Sequence, residues 1–312
     1  MHHVETMAYA GQVPWHGLGT NVPADISVDD MLVQAGLDWE VERVPIYTGD
    51  NRDEPVPEHL AIRRATDKLV YDIVSPRWKP VQNREILSFF RNWTEAGDAT
   101  IETAGSLRQG RQVWALANLG TGWKLNGNDE VKGYVLLVGS HESGKATVLR
   151  TTSVRVVCAN TLAASLWEKA KSEVRWTHAS DFDPDAARER LAISRDAISA
   201  MERAARTLQK LKLDLDKKIE ILQPVFQPQM DAADLIADQT HLSPLMKSIL
   251  WSDSKAPGAV PGSGWGILNG VTHTLDHMTN TRTPDGRFYA AQLGHHASNK
   301  QKVLKSLLEL AA

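Results

Sequence analysis

The prevailing hydrophobic period of this chain changes near Asn160. Before that point apolar residues alternate with polar ones in short runs divided by Gly, Pro and Asp, the period of half-buried strands. Beyond it they recur every three or four residues among charges, the period of amphipathic helices. Such an order predicts an α+β fold: a mostly antiparallel, twisted β-sheet with hairpins packed on helices, then a helical C-terminal half. The expected divisions are an arm, short helix and first strand over 1–59, a β-rich core over 60–175 and a helical region over 176–312.

Within the first part, Ser27 is placed to cap a helix VDDMLVQAG that Gly36 closes. LDWEVERVPIYT sets Leu37, Trp39 and Val41 against charges, as a strand with one wet face does. LAIRRA and KLVYDIV, joined at Thr66-Asp67, predict two more strands. A helix is expected from Asn83 to Ala96, with Ile86, Leu87, Phe90 and Trp93 on one face and Asn83 available as its cap. ATIETAGSLR, QVWALANL, GYVLLVG and TVLRTTSVRVV predict four further strands, with hairpin turns at Gly110 and at SHESG. After Asn160 the expected helices are TLAASLWEKAK, a long amphipathic stretch from Asp185 to about Leu222 with room for one break, WGILNGVTHTLDHMT after the loop KAPGAVPGSG, and NKQKVLKSLLEL.

Composition limits the function classes. A lone cysteine, Cys158, supplies no disulfide framework and no thiolate cage for a metal, so a reducing, cytoplasmic setting is expected. No run approaches the roughly 20 apolar residues of a membrane helix, and MHHVETMAYAGQVPW has no signal-peptide h-region, so no membrane partner is expected. The net charge of −3 hides an asymmetry. Residues 1–59 carry 2 basic and 11 acidic groups, residues 60–160 carry 14 and 9, and residues 161–312 carry 19 and 18.

Two motifs invite an enzyme. In GSHESGKAT, Gly139, Gly144 and Lys145 match a phosphate-binding loop. However, Ala146 stands where a hydroxyl would hold magnesium, and a β-branched run follows where a helix is required. His273 and His277, with Asp276 between them, share a helical face but lack the glutamate of a zinc-protease motif. Cys158 has no sequence partner that would activate it and is expected to be an inert buried thiol. No cofactor, metal or catalytic residue is therefore assigned.

The basic residues of the middle suggest binding. SPRWKPVQNR gathers Arg77, Trp78, Lys79 and Arg84, SLRQGR places Arg108 and Arg111 about a hairpin turn, and RTTSVR carries Arg150 and Arg155. Forked guanidiniums grip phosphate oxygens and an aromatic can stack on a base. Arg150 and Arg155 are five apart, so only a bend or bulge would bring both to one face. A solvated surface remains the alternative.

Several long stretches in one order resemble the phage/plasmid-like protein family known as domain of unknown function 932. They are PWHGLG (14–19), LDWEVERVPIYT (37–48), RWKPVQNRE (77–85), ETAGSLRQGRQVWALANL (102–119), SVRVVCANTL (153–162) and GWGILNGVT (264–272). The resemblance implies a mobile-element protein, and the strand–hairpin–helix order looks like the single-strand annealing proteins of recombination. On that likeness the expected function is ATP-independent binding and annealing of single-stranded DNA by a homo-oligomeric ring or filament. Arg77, Lys79, Arg84, Arg108, Arg111, Arg150 and Arg155 would hold phosphates, Trp78 would stack on a base, and Asn160 would cap a helix or donate to a phosphate. A protein-binding regulator of host defence, or a nucleotide- or metal-dependent enzyme, stands as the alternative.

Overall fold

The computed structural model describes residues 4–11, 19–125, 129–155, 160–163, 173–179, 184–255, 260–279, 290 and 294–312. The fold is α+β, with a mostly antiparallel sheet in the N-terminal half and helices in the C-terminal half. The chain forms two compact units: residues 1–120, 134–150 and 173–194 make the first, and 121–133, 151–172 and 195–312 the second.

In the first unit, β1 (Val4–Ala10) lies between β2 (Thr20–Val22), its parallel neighbour, and β6 (Thr100–Leu107), its antiparallel one. β6 continues into β7 (Gln112–Leu125), β8 (Asp129–Ser140) and β9 (Thr147–Arg155), which are successive neighbours in the sheet. β11 (Glu173–Trp176) adds to β9 with Arg175 opposite Val148. Separately, β3 (Val41–Thr48), β4 (Glu54–Arg64) and β5 (Val70–Val74) form a three-stranded antiparallel sheet. The hairpin turns fall at Gly110 and at SHESG, as their composition predicts.

Helix α1 (Val28–Gln34) starts as read: the Ser27 hydroxyl accepts from the Asp30 amide at 3.0 Å. The helix expected over Asn83–Ala96 is instead two, α2 (Asn83–Ser88) and α3 (Arg91–Glu95). Phe89 and Phe90 are both buried, with rings edge to face at 5.2 Å. Consecutive helical residues point about 100° apart, and Phe90 flattens to ψ −10° as the helix breaks. α2 approaches the sheet where Gly139 leaves room: a Cβ there would lie 2.2 Å from Ile86 Cδ1. Asn83 is not the cap. Gln82 precedes the helix and donates its amide to the Glu85 carboxylate at 2.7 Å.

The sequence expectation fails at Asn160–Ala163. Asn160–Ala163 is a strand, β10, paired antiparallel with β9, so Asn160 begins a ladder opposite Arg155 and caps no helix. Cys158 and most of TLAASLWEKAK lie outside the described residues, as does most of PWHGLG.

The long C-terminal helix is also divided, into α4 (Pro184–Lys210) and α5 (Leu215–Phe226). In the second unit the Leu213 amide donates to Gly262 O and the Gly264 amide to Leu211 O, so this stretch pairs as extended chain. Asp214 then caps α5, accepting from the Lys217 amide at 2.9 Å. α6 (Ala232–Ala237), α7 (Pro244–Lys255), α8 (Gly264–His273), a π-helical turn over Thr274–Met278 and α9 (His295–Ala311) follow. α8 presses on α7 through glycine, since a Cβ on Gly270 would meet Ile249 O at 2.8 Å. Lys300 with Asp276 is a buried ion pair and Lys218 with Asp253 a part-buried one, both at 2.5 Å. Among the described residues no helix is long and apolar enough to cross a membrane.

Candidate nucleic-acid interface

Residues 75–82 run between β5 and α2 with no ladder of their own, so their backbone must find other partners. The Arg43 guanidinium, on β3, donates to Pro76 O at 3.1 Å and Trp78 O at 3.2 Å. Gln82 closes a pair with Val41, its Nε2 donating to the carbonyl and its Oε1 accepting from the amide, both at 2.9 Å. Between these anchors, the Lys79 amide donates to His178 O at 2.8 Å. His178 Nδ1 lies 2.9 Å from Lys79 O; a carbonyl only accepts, so Nδ1 carries the proton. Burial holds the His178 pKa below its ordinary value. Trp78 is buried with its ring stacked on His178 at 4.2 Å and 21°. The loop is thus pinned from three sides while Arg77 and Lys79 are exposed.

The remaining candidate residues have other surroundings. Arg84 pairs with Asp29 at 3.1 Å, and Arg91 meets the same carboxylate at 2.8 Å. The hydrogen bond from Arg91 chiefly holds the Asp29 pKa down. Arg108 pairs with Glu142 at 2.8 Å, and Lys145 takes the same carboxylate. Arg111 ties β5 to the turn after β6: it donates to Tyr71 O, and to Val70 O at 3.2 Å, with its guanidinium 5.4 Å from the Tyr71 ring centre. Arg150 is only 7% exposed. It shares unbroken β9 with Arg155, five positions on, the odd spacing that alternation assigns to opposite faces. The side chains of Arg155 and Asn160 lie outside the described residues. The expected single groove therefore needs correction on three counts. Trp78 is packed against His178 and offers no face to a base, Arg150 is buried, and Arg111 is a strand tie.

The turn over 139–147 is a hairpin, with β9 beginning at Thr147 where a nucleotide loop would open a helix. Its anion-binding capacity is already used. Asp72 Oδ2 accepts from the Ser143 amide at 2.7 Å and hydroxyl at 2.5 Å. Burial raises the Asp72 pKa, but the two Ser143 bonds, with the Ile73 amide and Arg111, together leave the group below the ordinary carboxylate value.

Beneath this turn sits a cluster that the sequence reading missed. Asn83 Nδ2 donates to Leu37 O at 3.0 Å and Trp39 O at 3.1 Å. Its Oδ1 is left to accept from His141 Nε2 at 2.9 Å, which fixes the histidine tautomer. His141 is fully buried, and desolvation pushes its pKa down to about 3. Its ring stacks on Tyr71 at 5.9 Å and meets Trp39 edge-on at 5.5 Å. Arg64 lies over Trp39 at 5.2 Å and binds Asp67 and Glu5, each at 2.6 Å. Gly110, at φ +82°, closes the cluster; a Cβ there would lie 2.4 Å from the Tyr71 hydroxyl. In sequence His141 is one polar residue of a turn, and nothing local marks the contact with Asn83.

In the second unit the His273 and His277 rings are 5.1 Å apart. Among the described residues no three His, Cys, Asp or Glu side chains gather as a metal would need.

Fold and site together define an α+β protein that pairs several basic side chains within its own framework and exposes Arg77 and Lys79 on a pinned loop. The chain belongs to the family described as Domain of unknown function (DUF932), which matches residues 70–294. Neither the curated proteins nor the solved structures gave a match.

Proposed function

We propose that this protein binds single-stranded DNA and anneals complementary strands without ATP, acting as a homo-oligomer in phage- or plasmid-type recombination. The observation that carries the proposal is the pinned loop 75–82, which leaves Arg77 and Lys79 exposed beside a backbone tied down by Arg43, Gln82 and His178. Fixed cations hold a phosphate backbone with less ordering cost than mobile ones. Arg84, at the start of α2 and 64% exposed, extends the row by exchanging Asp29 for a phosphate. Trp78 supports the loop from below. Capture of the strand is electrostatic and sequence-independent, leaving base edges open to a complement.

The test mixes complementary fluorescent oligonucleotides with the protein, in the absence of ATP and divalent metal, and follows pairing alongside sedimentation. Faster pairing by a multimeric protein, lost in Arg77→Ala/Lys79→Ala, is the expected result. A folded protein that retains no single strand even at about 50 mM salt, where phosphate binding is strong, would overturn it.

A further inference from the structure

The backbone that carries Arg77 and Lys79 is itself held by a distant segment. Lys79 is paired with His178 on both sides of its peptide, its amide donating to His178 O at 2.8 Å and its carbonyl accepting from His178 Nδ1 at 2.9 Å. The first bond uses only the backbone of residue 178 and tolerates any side chain. The second, and the stack on Trp78 at 4.2 Å, require the imidazole. His178 follows β11 and is buried, 5% exposed, so it has no direct access to a ligand. We infer that His178 is the positioning residue of the interface: its ring fixes Trp78 and the Lys79 carbonyl and thereby aims Arg77 and Lys79 at a nucleic-acid backbone. The inference rests on the DNA-binding proposal and adds to it a residue that carries no charge into the contact.

That neutrality gives the test its edge. For single strands, each phosphate contact contributes about 0.7 to the steepness of log affinity against log salt. An uncharged residue that only supports the fold changes the folded fraction and leaves the slope alone. His178→Ala is expected to flatten the slope by about 1.4, the same loss as Arg77→Ala/Lys79→Ala. Combining all three substitutions should give no further loss. His178→Asn, whose amide can still donate to Lys79 O, should restore most of the slope. His178→Phe, which keeps only the stack, should restore less. Hydrogen exchange of the 75–82 segment, measured on the same proteins without DNA, should quicken in His178→Ala while β6 and β7 stay protected. A folded His178→Ala with wild-type slope and wild-type loop exchange overturns the inference. If the loop loosens but the wild-type protein binds no DNA, the DNA proposal fails and the positioning role falls with it, leaving a purely structural clamp.

Discussion

Loop 75–82, with Arg77 and Lys79 between prolines, and turn 139–147, with Lys145 after Gly144, both set basic side chains in turn-forming sequence, yet the fold treats them differently. In the turn, Lys145 and neighbouring Arg108 share Glu142, and Ser143 is taken by Asp72. In the loop the partners contact the backbone: carbonyls of 76, 78 and 79 are bound, and the side chains of Arg77 and Lys79 are exposed. A loop whose peptides are bound by other segments presents its exposed side chains from a fixed backbone. Counting arginines along the sequence does not reveal this.

The comparison breaks first if the loop cations are dispensable. Arg77→Ala/Lys79→Ala should weaken single-stranded DNA about a hundredfold, as expected for two charge-assisted contacts, with only the small loss of melting temperature that exposed side chains allow; a fluorescence anisotropy titration beside a thermal melt checks both. A smaller effect is expected from Asp72→Ala, which removes both Ser143 bonds and should cost about 1–2 kcal/mol in urea unfolding. The same carboxylate sharpens the contrast through pH. Its folded-state pKa is depressed, so its contribution is complete above the unfolded value of about 3.9. The contribution is lost as pH falls through the folded value. Stability of the Asp72→Ala variant should therefore converge on wild type in strong acid. The least effect on DNA belongs to Arg108→Ala/Lys145→Ala, cations already paired with Glu142: little change in affinity in the same titration.

The fold class was legible because the change of period is a property of the chain itself. So were the Ser27 cap and the turns at Gly110 and SHESG, each set by residues within a few positions. Asn160–Ala163 was misread because a short segment without strong alternation takes its structure from what it pairs with, here β9. The break at Phe89–Phe90 comes from burying two neighbouring rings, and that between α4 and α5 from Gly262 and Gly264 returning to bond Leu213 and Leu211. Of the candidate site, the exposure of Arg77 and Lys79 goes with a short polar segment between prolines, whereas the burial of Trp78 depends on His178, a hundred positions away in sequence.

Salt dependence of single-stranded DNA binding, compared between wild type and Arg77→Ala/Lys79→Ala, tests the central claim most directly. Wild type should lose affinity steeply between about 50 and about 200 mM salt, and the variant should bind weakly with a slope flatter by about 1.4. Equal slopes in two folded proteins would contradict the claim and return the loop to ordinary solvated surface.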